Sequence, residues 1–160
     1  MTDQDLQLYD AIRFAKEAEQ KATTFYADGA TKTANPMGKK LFEQLADFER
    51  YHYQKLTDLE NSLRAQGKFI GYEGRELLLS PILPFDRKEK NRMSVMDIIT
   101  TAMDLETKAG ELYKNLALQT SDPDGKAMFE RLAKEEQNHY RILANAFPKL
   151  NQFGEWDLGL

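Results

Sequence analysis

The two histidines of the chain, His52 and His139, each stand three residues after a glutamate. Residues 49–53 read ERYHY and residues 136–140 read EQNHY, so both segments follow the pattern Glu-x-x-His-Tyr. Residues i and i+3 are neighbours on a helix surface, so the glutamate and histidine of each segment could bind the same metal ion. One such pair is weak support for a metal site, because similar pairs occur on solvated helix faces. Two pairs in one short chain are a more specific signal.

Both pairs lie within apolar stripes that predict helices, and two other stripes carry a glutamate in the matching place. Residues at i, i+3, i+4 and i+7 share one helix face. The four stripes are Ile12, Ala15, Glu19, Ala22 and Tyr26; Leu45, Glu49, His52, Leu56, Leu59 and Leu63; Ile99, Ala102, Glu106, Ala109 and Tyr113; and Leu132, Glu136, His139, Leu143 and Ala146. Each core-facing stripe therefore contains one glutamate near its middle, and two stripes add a histidine one turn later.

Four carboxylates in one core would repel one another, and burying a carboxylate is costly unless it is paired. None of the four stripes contains a basic residue, so salt bridges do not offer the compensation. Two divalent cations would balance the carboxylates, and glutamate oxygens with imidazole nitrogens suit Fe, Mn or Zn. Four-helix bundles that hold two iron or manganese ions do so with one glutamate from each of two helices and Glu-x-x-His from each of the other two. The predicted metal ligands are Glu19, Glu49, His52, Glu106, Glu136 and His139.

Two tyrosines, Tyr26 and Tyr113, lie two turns after Glu19 and Glu106 on the same stripes. Each either packs in the core or donates a hydrogen bond to a ligand carboxylate, and the sequence leaves both alternatives open. No catalytic residue separate from the metal centre and no organic cofactor is predicted. The other nearby glutamates are expected to face solvent: Glu17, Glu43, Glu130 and Glu135.

Helical periodicity predicts four helices, over about residues 4–30, 36–66, 94–119 and 123–147. Asn35 and Asp122 each precede a proline, which is typical of a helix start. Ser94 begins a pattern that resembles a capping box. Gly67 and Pro148 are expected to end the second and fourth helices.

The lengths of the connections predict the topology. Short segments join the first helix to the second and the third to the fourth, so each pair should form an antiparallel hairpin. Residues 67–93 are too long for a turn and are expected to be a crossover, with a short strand-like piece at 68–74. Residues 148–160 are expected to be a C-terminal tail. We therefore predict one all-α domain over residues 1–160, built as an antiparallel four-helix bundle of two hairpins.

The two predicted hairpins repeat each other. A shift of 87 positions aligns the glutamates and histidines without a gap, so that Glu49 falls on Glu136 and His52 on His139. Further identities include Tyr26 with Tyr113, Pro36 with Pro123, Gly38 with Gly125, Phe42 with Phe129 and Leu56 with Leu143. These identities indicate an internal duplication in which each hairpin is one copy.

Composition excludes several classes of function. The net charge is −4 and the basic residues are scattered among acidic ones, so no nucleic-acid partner is expected. No apolar run is long enough to span a membrane, and the acidic, polar N-terminus is unlike a secretory signal. The chain has no cysteine, which excludes a disulfide scaffold, a thiolate metal site and a cysteine nucleophile. A soluble, cytoplasmic protein is expected.

These motifs resemble the rubrerythrin-like branch of the ferritin-like superfamily. The resemblance is carried by EQKATTFY and ETKAGELY in the first and third helices, at residues 19–26 and 106–113. The second and fourth helices contribute LFEQLADFERYH and MFERLAKEEQNH, at residues 41–52 and 128–139. The similarity covers about residues 5–147.

The resemblance implies a ferritin-like bundle with a non-heme di-iron centre that reacts with O2 or hydrogen peroxide. Rubrerythrins proper also carry a cysteine-ligated rubredoxin domain, and this chain has no cysteine, so a separate electron donor is implied. They carry an additional glutamate one turn after the first glutamate of the third helix, where this chain has Ala109. A symmetric site of six ligands is therefore expected.

Three functions are compatible with such a site. The first is an oxidase- or peroxidase-type oxidoreductase that reduces O2 or hydrogen peroxide, and this is the function we expect. The second is a ferroxidase that stores or handles iron, which would require a shell-like oligomer or a partner. The third is a non-catalytic bundle that a metal such as zinc stabilises. A homodimer is a further hypothesis, because the crossover and the tail carry apolar residues.

Overall fold

The computed structural model describes residues 2–79 and 86–159, and that part of the chain forms four α-helices. They are α1 (Asp3–Lys32), α2 (Pro36–Gln66), α3 (Arg92–Gln119) and α4 (Pro123–Phe153). α1 packs along α2 and α3 along α4, and α1 also contacts α3. The predicted four-helix bundle of two hairpins is confirmed. Within these described ranges, no helix has the length and apolarity that a membrane crossing requires.

Helix caps explain most of the observed boundaries. Asn35 and Asp122 accept hydrogen bonds from the first-turn amides of α2 and α4, and Gly67 ends α2 in the left-handed conformation. The prediction that Ser94 starts the third helix was wrong. α3 begins at Arg92, because the carbonyl of Asn91 already accepts the amide of Val95. The strand-like piece predicted at 68–74 was also wrong, since this segment forms no strand.

The prediction that Pro148 ends the fourth helix was wrong as well. α4 continues through Pro148 to Phe153, and Gly154 in the left-handed conformation forms its C-cap. A proline inside a helix removes one backbone hydrogen bond and costs about 3 kcal/mol. Burial of Leu150, which extends the apolar stripe of α4 by one turn, offsets this cost. Residues 148–153, which were predicted as part of the C-terminal tail, are therefore helix.

The chain after α4 turns back onto the bundle through Trp156. The Trp156 side chain is fully buried and lies directly against Gly38 in the first turn of α2, where any β-carbon would clash with the indole. The equivalent glycine of the other hairpin, Gly125, is covered in the same way by Phe69 of the crossover. Phe69 and Trp156 are themselves 87 positions apart, so the repeat includes the aromatic side chain that closes each end of the bundle.

A buried carboxylate, Glu89, joins the end of the crossover to the turn between α1 and α2. Its oxygens accept hydrogen bonds from the backbone amides of Ala34, Asn35 and Asn91 at 2.9, 3.2 and 3.0 Å. They also accept the indole N–H of Trp156 at 2.9 Å. Because four donors satisfy this carboxylate, its burial is compatible with a stable fold.

The apolar core is divided into two clusters along the length of the bundle. One cluster contains Tyr26, Phe42, Leu45, Ile99, Leu143, Leu150 and Trp156, and the other contains Ile12, Leu56, Leu59, Tyr113, Phe129 and Leu132. Along every helix, the polar residues of the core-facing stripe fall between these two clusters. The bundle therefore encloses a layer of acidic and imidazole side chains near its middle, with apolar packing on both sides.

Candidate metal centre

The polar layer consists of the six side chains that the sequence predicts as ligands. Each of the four helices contributes one glutamate, and α2 and α4 add one histidine each: Glu19, Glu49, His52, Glu106, Glu136 and His139. Each of these residues is at most 2% exposed. The fold thus brings all six together in the interior of the bundle.

The six side chains form two overlapping groups. The first contains Glu19, Glu49, His52 and Glu136, and the second contains Glu49, Glu106, Glu136 and His139. In each group, one ligand atom from every residue lies within 4.8 Å of the others. Glu49 and Glu136 belong to both groups, so these two carboxylates lie between the two positions that a metal ion could occupy.

The histidines face the carboxylates with the same ring nitrogen. Nδ1 of His52 lies 2.9 Å from Oε1 of Glu136 and 3.5 Å from Oε1 of Glu19. The contact between His52 and Glu136 does not have the geometry of a hydrogen bond. Nδ1 of His139 lies 3.2 Å from Oε1 of Glu49 and 3.5 Å from Oε2 of Glu106. The internal repeat therefore extends to the geometry of the layer, since each histidine faces the glutamate of the opposite Glu-x-x-His motif.

The two tyrosines hold the outer glutamates across the bundle. The hydroxyl of Tyr26 donates to Oε1 of Glu106 at 2.6 Å, and the hydroxyl of Tyr113 donates to Oε1 of Glu19 at 2.7 Å. Both rings are also fully packed in the core, so packing and hydrogen bonding occur together. Burial, with the nearby carboxylate charge, raises the pKa of both hydroxyls well above the ordinary value, so they stay protonated as donors.

The polar atoms that face the centre of the layer lack hydrogen-bond partners among residues 2–79 and 86–159. They are Oε2 of Glu19, Oε1 of Glu49, Oε2 of Glu106, both carboxylate oxygens of Glu136, and Nδ1 of each histidine. Buried polar atoms are normally paired, and such a concentration of orphaned acceptors in one place calls for a ligand. A donor set of carboxylate oxygens and imidazole nitrogens fits divalent transition metals, so the residues present fit a pair of cations.

Charge repulsion perturbs the carboxylates of this layer. Burial, followed by the negative charge of the other glutamates, raises the pKa of Glu49 and of Glu136 well above the ordinary value. Burial alone would lower the pKa of His52, but the charges of Glu19 and Glu49 and the hydrogen bonds to Glu135 and Glu19 together outweigh it and raise this pKa well above its ordinary value. Burial also disfavours the charged form of Glu19, but the charge of His52 and the hydrogen bonds from His52, Glu49 and Tyr113 together outweigh this effect and lower the pKa. The metal-free layer therefore keeps protons that bound cations would displace.

These shifts predict that the metal-free protein loses stability as the pH rises above the ordinary pKa values of glutamate and histidine, 4.5 and 6.5. A folded state that binds more protons than the unfolded chain becomes less stable as the pH rises. Glu49, Glu136 and His52 hold such extra protons, because their folded pKa values are raised. The lowered pKa values of Glu19 and Glu135 have the opposite effect, but only below the ordinary value of 4.5.

Denaturant unfolding in the presence of a chelator, at matched ionic strength, measures this trend. Metal-loaded protein serves as the control, and its stability should rise over the same interval because the ligands must lose protons to bind metal. Metal-free protein that gains stability from the lower to the higher pH would contradict the proton assignment.

The prediction that Glu135 faces solvent was wrong. Glu135 is only 1% exposed. Its Oε1 accepts a hydrogen bond from the Tyr72 hydroxyl at 2.6 Å and also pairs with Nε2 of His52 at 3.0 Å. Its Oε2 accepts the backbone amide of Arg75 at 2.6 Å. The crossover runs over this face of α4 and covers it. One signal was available, because the equivalent position of the first hairpin is the apolar Phe48.

A cavity of about 270 Å³ leads from the surface between α1 and α3 to the polar layer. Its walls include Phe14, Ala109 and Leu112, and at its inner end lie Glu19, Glu49, Glu106 and Glu136. Ala109 stands where a longer side chain would narrow this passage. A small molecule that enters this cavity therefore approaches the carboxylates, whose layer-facing oxygens are buried at its inner end.

The rubrerythrin family model matches residues 1–60 and 97–156 of the chain. The matched segments contain all six residues of the polar layer and most of the four helices. No curated protein and no solved structure matches the chain. The family match and the buried cluster of carboxylates and imidazoles together suggest a dinuclear metal centre. The family model covers most of the chain, and the protein therefore belongs to the rubrerythrin family.

Proposed function

We propose that the protein is a di-iron oxidoreductase that reduces O2 or hydrogen peroxide at the centre of the bundle. Glu19 and His52 would hold one iron ion, and Glu106 and His139 the other. Glu49 and Glu136 would bridge the two ions, since each carboxylate belongs to both groups of candidate ligands. The four carboxylates would balance the charge of two divalent ions, which explains why no basic residue is needed in the layer.

The observation that favours catalysis over a purely structural metal site is the cavity between α1 and α3. Structural metal sites are closed, whereas catalytic sites keep a position open to substrate. This cavity reaches all four carboxylates, and most of its lining is apolar. Such a passage is large enough for O2 or hydrogen peroxide to enter.

Two bound ferrous ions would supply the two electrons that convert hydrogen peroxide and two protons into two water molecules, or O2 and two protons into hydrogen peroxide. The chain itself would orient the ligands and restrict access. Tyr26 holds one carboxylate oxygen of Glu106, and Tyr113 holds one carboxylate oxygen of Glu19. The second oxygen of each glutamate is directed toward the layer. The apolar clusters on both sides exclude bulk water from the centre. The electron donor would be separate from these residues, because the chain has no cysteine for a rubredoxin-type site.

The direct test is oxidant consumption by protein that has been loaded anaerobically with Fe(II). We expect rapid loss of added O2 or peroxide, with optical changes of the same stoichiometry as the bound iron. Full iron loading without oxidant consumption would contradict the proposal and favour the metal-stabilised bundle. Turnover of many Fe(II) ions by a shell-like oligomer would favour iron handling instead, and gel filtration would reveal that assembly.

Ala109→Leu tests the role of the cavity, because the longer side chain would narrow the passage while the ligands stay in place. Slower oxidant consumption at unchanged iron content is expected. Ala65→Leu, at an exposed position of α2, is the matched control and should leave the rate unchanged. Equal rates in the two variants would mean that the oxidant takes another route.

A further inference from the structure

The surroundings of the two histidines differ at one pair of positions that the internal repeat makes equivalent. Glu135 precedes the bridging glutamate of α4, and Phe48 precedes that of α2. Glu135 pairs with Nε2 of His52 at 3.0 Å. Phe48 instead presents its ring edge-on to His139, with the ring centroids 4.4 Å apart. A phenyl ring offers no carboxylate to an imidazole N–H, so among residues 2–79 and 86–159 only His52 has such a partner.

Glu135 is itself held rigidly. The Tyr72 hydroxyl and the Arg75 amide each donate to it at 2.6 Å, and Nε of Arg131 lies 3.3 Å from Oε2. The crossover approaches so closely that a β-carbon at Gly74 would lie 2.6 Å from Oε2 of Glu135. This carboxylate is therefore fixed by donors from two segments, and its geometry depends on the crossover.

The Glu135 carboxylate determines which nitrogen of His52 carries the proton. An ionised carboxylate accepts only, so Nε2 of His52 must be the donor. In the neutral ring, Nδ1 therefore carries no proton and faces the layer, so a metal ion that displaces the extra proton of His52 binds at this atom. The ring of His139 lacks this constraint, because Nε2 has no hydrogen-bond partner within the two described ranges. That ring also borders a second cavity, of about 300 Å³, beside Arg75 and Arg141.

We propose that Glu135 is a positioning residue that makes the two metal positions unequal in their affinity for metal. This inference rests on the dinuclear centre proposed above. The position at His52 binds metal more tightly than the position at His139, because a carboxylate holds the Nε2 proton of His52, whereas Nε2 of His139 has no such partner among the described residues. Carboxylates that support a metal-bound histidine typically change metal affinity by about 10- to 100-fold.

Stepwise Co(II) binding, measured by competition with a chromogenic chelator, tests this inequality without any assay of activity. Wild-type protein should show two unequal dissociation constants. Glu135→Ala should weaken the tighter step by about 10- to 100-fold and leave the weaker step nearly unchanged. Glu135→Gln should restore part of the loss, because its amide oxygen can still accept the imidazole N–H. Glu130→Ala, at an exposed position of the same helix, is the matched control and should change neither step.

A double-mutant cycle assigns the effect to one histidine. In a His52→Ala background, Glu135→Ala should cause no further loss of Co(II) affinity. In a His139→Ala background, it should cause the full loss at the remaining step. Tyr72→Phe, which removes one donor to Glu135 and leaves the core intact, should weaken the same step to a smaller extent.

Equal loss at both steps, or a further loss in the His52→Ala background, would overturn the inference and leave the oxidoreductase proposal standing. Conversely, the expected Co(II) pattern in a protein that consumes no oxidant would overturn the proposed function and leave the inequality of the two positions intact. The two proposals therefore fail in different measurements.

Discussion

Replacement of Glu136 and His139 together by alanine is expected to abolish metal binding at both positions. Glu136 contributes an oxygen to each of the two candidate groups, and His139 is the only imidazole of the second group. A ligand that binds only the folded state stabilises it, by about 4 kcal/mol at a concentration 1,000-fold above the dissociation constant. Added Fe(II) or Co(II) should therefore raise the unfolding temperature of the wild-type protein and leave that of the variant unchanged.

Glu130→Ala combined with Gln137→Ala is the control for this variant. Both residues are exposed on α4, close to the ligands in sequence but outside the layer. The control should keep the full metal-dependent rise in unfolding temperature. A similar rise in the Glu136 and His139 variant would mean that the metal binds elsewhere.

Trp156→Ala should cause the largest loss of stability outside the metal centre. The indole is fully buried, its ring centroid lies 5.9 Å from that of Phe42, and its N–H donates to Glu89. Truncation of a buried large aromatic side chain to alanine typically costs about 3–5 kcal/mol. Removal of the indole also takes one donor from the buried carboxylate of Glu89, which adds to the cost.

Urea unfolding measures this loss, and Phe153→Ala provides the comparison. Phe153 is only three residues away but 57% exposed, so its truncation should change the free energy of unfolding by about 0.5 kcal/mol or less. Losses of equal size in the two variants would contradict the structural role assigned to the segment after α4.

The sequence predicted the helices and the composition of the polar layer because both depend on local spacing. A glutamate within an apolar stripe faces the core whatever the details of packing, so Glu19 and Glu106 could be identified without a structure. The internal repeat then distinguished Glu49 and Glu136 from surface glutamates, since the same pattern recurs in both hairpins.

The errors concern residues whose environment depends on distant segments. Glu135 was predicted to be a surface residue because it lies outside the apolar stripe of α4. Tyr72 and Arg75 of the crossover, which are far away in sequence, cover it in the folded protein. Pro148 looked like a helix stop because local propensity favours that reading, and the burial of Leu150 against the bundle outweighs it. The contacts between Glu135 and the crossover leave no periodic signal in the sequence of α4.

Metal content after anaerobic Fe(II) loading and removal of excess iron tests the central claim most directly. The two overlapping groups of carboxylates and imidazoles predict two iron ions per chain. A content near two that falls to zero when Glu136 and His139 are replaced would agree with the dinuclear centre. A content far from two in the wild-type protein, or an unchanged content in the variant, would contradict it.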